Sequence, residues 1–408
     1  MNVYEQRIVA LRRDVARMAG TRPDEVLVAR SPYRVCPLGA HVDHQDGLVT
    51  GMAIEEALLF GFVPSEDGSV RVMSRDLQGQ VAFDLSAIPR QPAADWGDYL
   101  RGAAWALMSG RSLKRGLVGI VDGCTKVEGL SSSAAVGVAY LLALECVSDL
   151  EVAPSENIEL DRRIENDYIG LQNGILDQSM ILLSKAGRLT SMDCRTGESV
   201  LHPCGSPLPL RVLILHSGLG RRLLGTDYNR RVAECTEAAS QLLKMSGKKV
   251  PDAPRLRDVP QEAFEAHSES LEPRLRRRAE HFFGEWRRAI RGLELWRAGD
   301  LAGFGRLVSE SGRSSIKNYE CGNAYLRSAY RVLCETPGVL GARFSGAGFR
   351  GCCIGLTTQR VDRQMRDDIL QRYLALHPDM KGQAEVRVSP SADGAGILRP
   401  SGKAPQGA

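Results

Sequence analysis

The stretch Gly129-Leu130-Ser131-Ser132-Ser133-Ala134-Ala135 follows a strand-like run, Gly116 to Asp122, and opens an apolar helical segment from about Ser132 to Cys146. A small-residue loop that opens a helix turns several unpaired backbone N–H groups, and the positive end of the helix dipole, toward whatever occupies the turn. That arrangement suits an anion, phosphate above all. A serine N-cap on a buried helix accounts for the same residues, so the loop by itself leaves two readings open. The helix behind it is apolar nearly all round. Ala135, Gly137, Ala139 and Ala143 are small enough to admit a close neighbour, which predicts a buried central helix.

A chain of 408 residues is long enough for two domains, each with its own core. The boundary is expected in the Pro-rich stretch His202 to Pro209, giving domains over residues 1–205 and 206–398 and a disordered Gly/Pro-rich tail over 399–408. No run of about 18 apolar residues predicts a membrane span. The N-terminus reads as a surface helix closed near Gly20, without a signal peptide's apolar region. The ten cysteines form no C-x-x-C pair, so free thiols in a reducing cytoplasm are expected. A net charge of +4 is weak for nucleic-acid binding, and the basic group Arg274, Arg276, Arg277 and Arg278 shares its helix with Glu272 and Glu280, as a solvated face does.

Along the chain, Val26 to Ala29 reads as a strand running into a loop, Ser31 to Gly47, whose two prolines and two glycines exclude regular helix. Arg34, His41, Asp43 and His44 are therefore expected on a loop, where function concentrates. Met52 to Phe62, Ser69 to Met73 and Val81 to Leu85 read as strands, and Trp96 to Gly102 opens a helix. From Ser155 a helical stretch carries Asp161, Glu165 and Asp167, is interrupted at Gly170 and Gly174, and continues through Asp177. An acid flanked by apolar residues needs a partner or a ligand when buried, which singles out Asp177, between Leu176 and Gln178. Asp161 reads as facing water.

Several chemistries are excluded by context. Gly346, Gly348 and Gly351 have the G-x-G-x-x-G spacing, yet a strand pattern, Cys352 to Thr358, follows where a dinucleotide fold needs a helix. A hairpin turn and a ligand-facing loop both remain open for those glycines. The Walker loop, the protein-kinase motifs, a zinc-ligand spacing and the G-x-S-x-G elbow are all missing from the sequence.

Taken together and in order, these features resemble the GHMP kinases, and within them the galactokinases. Arg34-Val35, Leu38-Gly39, His41 and Asp43 match the galactokinase signature R-V-N-L-I-G-E-H-T-D at most fixed positions. Gly129 to Ala135 matches G-L-S-S-S-A, Gly174 to Gln178 matches G-I-M-D-Q, and Tyr228-Asn229-x-Arg231-x-x-Glu234-Cys235 matches Y-N-x-R-x-x-E-C. Ser345 to Cys352 is similar to the family's final glycine loop and Asp393-Gly394-Ala395 to its closing motif. The resemblance implies an α/β (α+β) GHMP-kinase fold, two α/β domains with the active site in the cleft between them. It also implies ATP-dependent phosphorylation of the anomeric hydroxyl of a hexose.

On that resemblance, Gly129, Leu130, Ser131, Ser132, Ser133 and Ala134 would cradle the phosphates of ATP, and Ser133 with Glu165 would hold Mg²⁺. Asp177 would act on the sugar O1 hydroxyl, either as base or only by positioning it, and Arg34 would offset charge on the transferred phosphoryl group. His41, Asp43, Gly174 and Tyr228 would bind the sugar. Trp96 and Tyr99 resemble residues near the adenine, with core packing as the alternative. The expected partners are ATP and a small-molecule sugar acid, with neither nucleic acid nor membrane, in a cytoplasmic monomer or weak homodimer.

The departures bear on the substrate. The glutamate that contacts the C6 hydroxyl in galactokinases is Ala40 here. A C6 carboxylate would meet that glutamate as a like charge, at about 4 kcal/mol for ~4 Å and an effective dielectric of ~20, roughly a thousandfold in binding. Ala40 removes the charge and makes room, which points to D-galacturonate. A neutral galactose, a glucuronate or a non-catalytic sugar sensor are the alternatives. Arg350, with Arg221 and Arg222 as rivals, could answer the carboxylate through a bidentate pair, with a surface salt bridge as the alternative, and Val127-Glu128 make the serine loop stiffer and more acidic than the family's.

Overall fold

The computed structural model describes residues 3–123, 127, 129–219 and 228–400. Among them, strands β1 (Leu27–Val35), β2 (Leu48–Ser65), β3 (Ser69–Ser74), β4 (Gln80–Asp84), β5 (Gly116–Asp122), β6 (Arg188–Asp193), β7 (Ser199–Pro203), β8 (Arg211–His216), β9 (Gly341–Phe344), β10 (Cys352–Thr357), β11 (Glu385–Ala392) and β12 (Gly396–Leu398) form one sheet. The helices are α1 (Val3–Ala19), α2 (Asp98–Met108), α3 (Ser132–Val147), α4 (Pro154–Arg163), α5 (Leu176–Leu183), α6 (Tyr228–Met245), α7 (Gln261–His267), α8 (Pro273–Ala298), α9 (Leu301–Lys317), α10 (Ala324–Cys334) and α11 (Arg363–Leu376).

The backbone of this architecture is β2. From Val49 to Val63 its Val, Ile, Leu and Phe residues are buried on both faces, as a strand covered on two sides must be. The sheet runs β4-β3-β5-β2-β11-β8-β10-β9, so β11, from the end of the chain, lies between β2 and β8. β12 then pairs with β1. The last strands therefore return to the first half and tie it to the second. The segment around residue 206 where the sequence predicts a domain boundary is the link from β7 to β8. One core packs α2 and α3 on the β1, β2 and β5 side, where Phe60 stacks on Phe62 and meets the edge of Tyr140. The other packs α6, α8, α10 and α11 against β8 to β10.

Three expectations are corrected. Arg278 is not on a solvated face: it is fully buried. Arg34 lies on a strand, not a loop: β1 continues through Pro32 to Val35. It accommodates the proline with a bulge between Pro32 and Arg34. Its β12 partner ends opposite Val28 to Arg30, so the later edge of β1 is open. The Arg34 N–H there donates to the Leu130 carbonyl of the serine loop at 3.2 Å. Asp161 does not face water. It is fully buried between α4 and α3 because Gly137 opposite it has no side chain.

The Tyr-Asn motif has a structural role at its acidic end. Glu234 on α6 accepts from the fully buried Arg278 of α8 at 2.7 Å, and Arg278 also pairs with Glu320 at 2.7 Å. Arg230 and Arg231 also pair with Glu234, each at 3.1 Å, and Arg277 with Glu320 at 3.0 Å, so losing Arg278 removes the hydrogen bonds of a fully buried cation and leaves both carboxylates partly compensated. Arg278→Ala is expected to destabilise the protein by about 1.5–3 kcal/mol, read by urea denaturation; a loss below about 1 kcal/mol, the range of exposed pairs, would contradict this.

Candidate active site

The site is assembled where β1, the serine loop and α5 meet. α5 starts at Leu176, which puts Asp177 in its first turn, where a carboxylate is favoured by the helix dipole. Arg34, 3% exposed, donates from Nε and Nη2 to Asp177 Oδ1 at 2.8 and 2.7 Å. Ser131 donates from Oγ to Asp177 Oδ2. Ser131 adopts left-handed backbone geometry, φ 62°, unfavourable for a residue with a side chain. Its side chain does not cap α3, which sets the N-cap reading aside. The hydroxyl is committed to Asp177 and leaves the first-turn N–H groups without a side-chain acceptor from that residue. Arg34 Nη1 is buried without a partner among the described residues. A cationic donor left over beside a helix N-terminus fits the phosphates of ATP.

The late glycine turn closes the loop from the other side. β9 and β10 form an antiparallel hairpin, and a Cβ at Gly129 would lie 3.0 Å from Ser345 O and Cys352 N. Gly129 itself sits at φ 91°, so the contact requires glycine twice over. Arg350 is exposed on this turn. Gly348, earlier in the turn, stands against Cys321. Glu128, Arg221 and Arg222 lie outside the described residues.

A second group forms around Glu165. Between α4 and α5 the chain makes a π-helical turn, Ile164–Ile169, the kind of widened turn found at functional sites. Glu165 there is 1% exposed and accepts from Asn173 Nδ2 at 2.7 Å and from the Tyr99 hydroxyl at 3.5 Å, and the Ser133 hydroxyl is near enough to favour its charged form. Burial pushes its carboxyl up to about 7, against the hydrogen bond from Asn173, with the charge of Asp177 adding to the rise. Carboxylate, hydroxyl and phenol oxygens are the donor set of a hard cation. Magnesium is bound through one or two carboxylates and substrate phosphates, and Glu165 offers one such carboxylate. Of the two candidate adenine neighbours, Tyr99 turns its hydroxyl to Glu165, and Trp96 donates from Nε1 to Gln78 O at 3.1 Å.

The third group is the signature loop. A Cβ at Gly174 would stand 2.3 Å from Asp43 Oδ2, so only glycine lets that carboxyl lie there. Burial, then the charge of Asp177, pushes Asp43 up to about 6. Tyr228 lies edge-on to His44 with centroids 6.1 Å apart, and burial, then the charges of Asp43 and Asp177, raises its phenol. His41, at φ 60°, stacks on Tyr319 with centroids 4.3 Å apart, and Cys321 Sγ lies 3.8 Å from its Nε2. Burial, then the charge of His281, keeps His41 neutral.

The second half of the chain holds this loop through residues that the sequence reading missed. Gly39 N donates to Glu285 at 2.9 Å, His281 Nε2 donates to the Ala40 carbonyl at 2.9 Å, and the Tyr319 hydroxyl and His44 Nε2 share a hydrogen bond of 3.1 Å. The available signal lay in α8, where Arg278, His281 and Glu285 occupy the same stripe as Leu275, Ala279 and Phe282. Charges on an apolar stripe need partners.

The sequence matches the family described as GHMP kinases N terminal domain over residues 98–185 and that described as GHMP kinases C terminal over residues 289–375. The chain belongs to the GHMP kinase family, and within it is a sugar kinase of the galactokinase type. It is 45% identical to a galacturonokinase of Arabidopsis thaliana, over 95% of this chain and 97% of that one. It is 33% identical to a galactokinase of Roseiflexus sp. (strain RS-1), over 91% and 92%. The solved structure of Lactococcus lactis galactokinase complexed with galactose aligns over 95% of this chain and 99% of that chain, with a TM-score of 0.86 at 28% identity. A mevalonate kinase, at TM-score 0.63 and 16% identity over 90% and 99%, shares the fold.

Gly174→Ala tests the closeness of Asp43. The added methyl must displace the carboxyl, and an ångström-scale misplacement is sufficient for about a hundredfold loss of kcat/KM for the sugar. Wild-type kcat/KM in steady-state kinetics would show that Asp43 and Gly174 are not packed in this way.

Proposed function

We propose that this chain transfers the γ-phosphoryl group of ATP to the anomeric hydroxyl of D-galacturonate, giving D-galacturonate 1-phosphate and ADP. The observation that carries the choice of sugar is Ala40. It is buried beside His41, on a loop locked by Glu285 and His281. At this position galactokinases offer a carboxylate to the C6 hydroxyl; a uronate needs that charge removed. The 45% identity to a protein named galacturonokinase supports the same reading.

In this reading Asp177, held by Arg34 and Ser131, orients the sugar O1–H and takes its proton as O1 bonds to the γ-phosphorus and the bond to the β-phosphate oxygen breaks. Arg34 has one unused donor, Nη1, to offer the phosphoryl oxygens. The backbone from Gly129 to Ala134, with Ser132 and Ser133, receives the remaining phosphates. Ser133 and Glu165 would hold magnesium, which when bound offsets the negative charge of the phosphate oxygens. Asp43, His41, Gly174 and Tyr228 form the sugar pocket. The carboxylate is assigned to Arg350: its turn touches Cys321 through Gly348, and Cys321 touches His41.

Ala40→Glu tests the sugar assignment. The variant is expected to lose about a thousandfold in kcat/KM for galacturonate and far less for galactose. Equal losses on the two sugars would show that position 40 does not face C6.

The pH dependence follows from Asp43. Below its value of about 6 the carboxyl is protonated and one oxygen donates where the sugar hydroxyls need an acceptor; above it, both oxygens only accept. The KM for the sugar is therefore expected to fall as pH rises from 5 to 7, and Asp43→Asn to remove that step. A wild-type KM independent of pH across this range, measured at saturating ATP, would contradict the role of Asp43.

A further inference from the structure

Asp161 takes no part in the site as described so far, yet it is placed against it. It is fully buried on α4, and neither carboxyl oxygen has a hydrogen-bond partner among the described residues. Such a group is disfavoured on stability grounds alone. The fold nevertheless makes space for it: a Cβ at Gly137 would stand 2.0 Å from Asp161 Oδ1, so glycine at that point of α3 is what admits the carboxyl. Tyr99, Glu165 and Asp177 all lie within electrostatic reach of it.

The register of the two helices gives this placement a meaning. Gly137 lies four residues beyond Ser133 on α3, and Asp161 lies four residues before Glu165 on the α4 side. The pairs Ser133–Glu165 and Gly137–Asp161 thus form successive levels, roughly one helical pitch of ~5.4 Å apart. An ion on the first level has oxygen ligands at ~2.1 Å, and its bound waters can donate to acceptors one hydrogen bond further out. The second level is too far for direct coordination and at the right depth for contact through water.

We propose that Asp161 is an outer member of the magnesium site, accepting hydrogen bonds from the waters that complete the shell of an ion held by Ser133 and Glu165. This rests on the assignment of those two residues as the inner ligands. Two empty acceptors and a matching glycine explain why an otherwise unfavourable acid is kept at this depth.

The test is calorimetric titration of Mg²⁺ into the full chain saturated with a non-hydrolysable ATP analogue. Asp161→Asn is expected to weaken magnesium binding about 10- to 100-fold, the usual effect of losing an outer-shell partner, with a melting temperature in metal-free buffer no lower than wild type. Gly137→Ala, which displaces the same carboxyl without changing charge, is expected to weaken binding in the same direction. Glu165→Gln separates the two levels of the claim. If it weakens binding while Asp161→Asn and Gly137→Ala stay within about twofold of wild type, the outer role is overturned and the inner assignment stands. If Glu165→Gln also leaves the affinity unchanged, the magnesium assignment itself fails.

Discussion

A guanidinium buried as deeply as Arg34 requires an anion, and the site follows from how the fold supplies one. Asp177 arrives from 143 residues away, carried on the first turn of α5. Removing either partner would leave the other charge without compensation in a low-dielectric setting. The pair also recruits Ser131, whose hydroxyl reaches Asp177 only because its backbone is left-handed. One ion pair therefore fixes the acid, the arginine and the entry to the serine loop together. The N-terminus of α3 and the carboxyls of Asp177 and Asp43 are thereby gathered in one place.

Around this pair the two halves of the chain act as one body. β11 sits between β2 and β8, so the sheet runs continuously through both halves. The sugar-signature loop belongs to the first half in sequence but is held by Glu285, His281, Tyr319 and Arg255 of the second. The left-handed conformation of His41 is supported by this external hold. The signature loop is accordingly positioned by both halves, although its residues belong to the first.

Much of this was legible in the sequence because it is local. The serine loop, Asp177 between apolar residues, Gly174 and the helix behind the loop all carry their meaning within a few neighbouring positions. The parts that were not legible depend on pairs distant along the chain. Asp161 reads as solvated, because an acid on a charged helix normally is; Gly137, on another helix, is what buries it. Arg34 reads as a loop residue, because two nearby prolines exclude helix, but Pro32 is absorbed by a bulge at an open strand edge. The clamp from α8 and Tyr319 has no motif of its own; it is visible only as charge on an apolar stripe.

The proposed choice of substrate turns on position 40, where Ala40 stands in a loop held by Glu285 and His281. The direct measurement is a competition: equal concentrations of galacturonate and galactose with ATP and magnesium, the products resolved by phosphorus and carbon NMR. Phosphate on C1 of galacturonate is expected as the dominant product, with the C6 carboxylate intact. Dominant galactose 1-phosphate, or phosphate on any other carbon of the uronate, would contradict it.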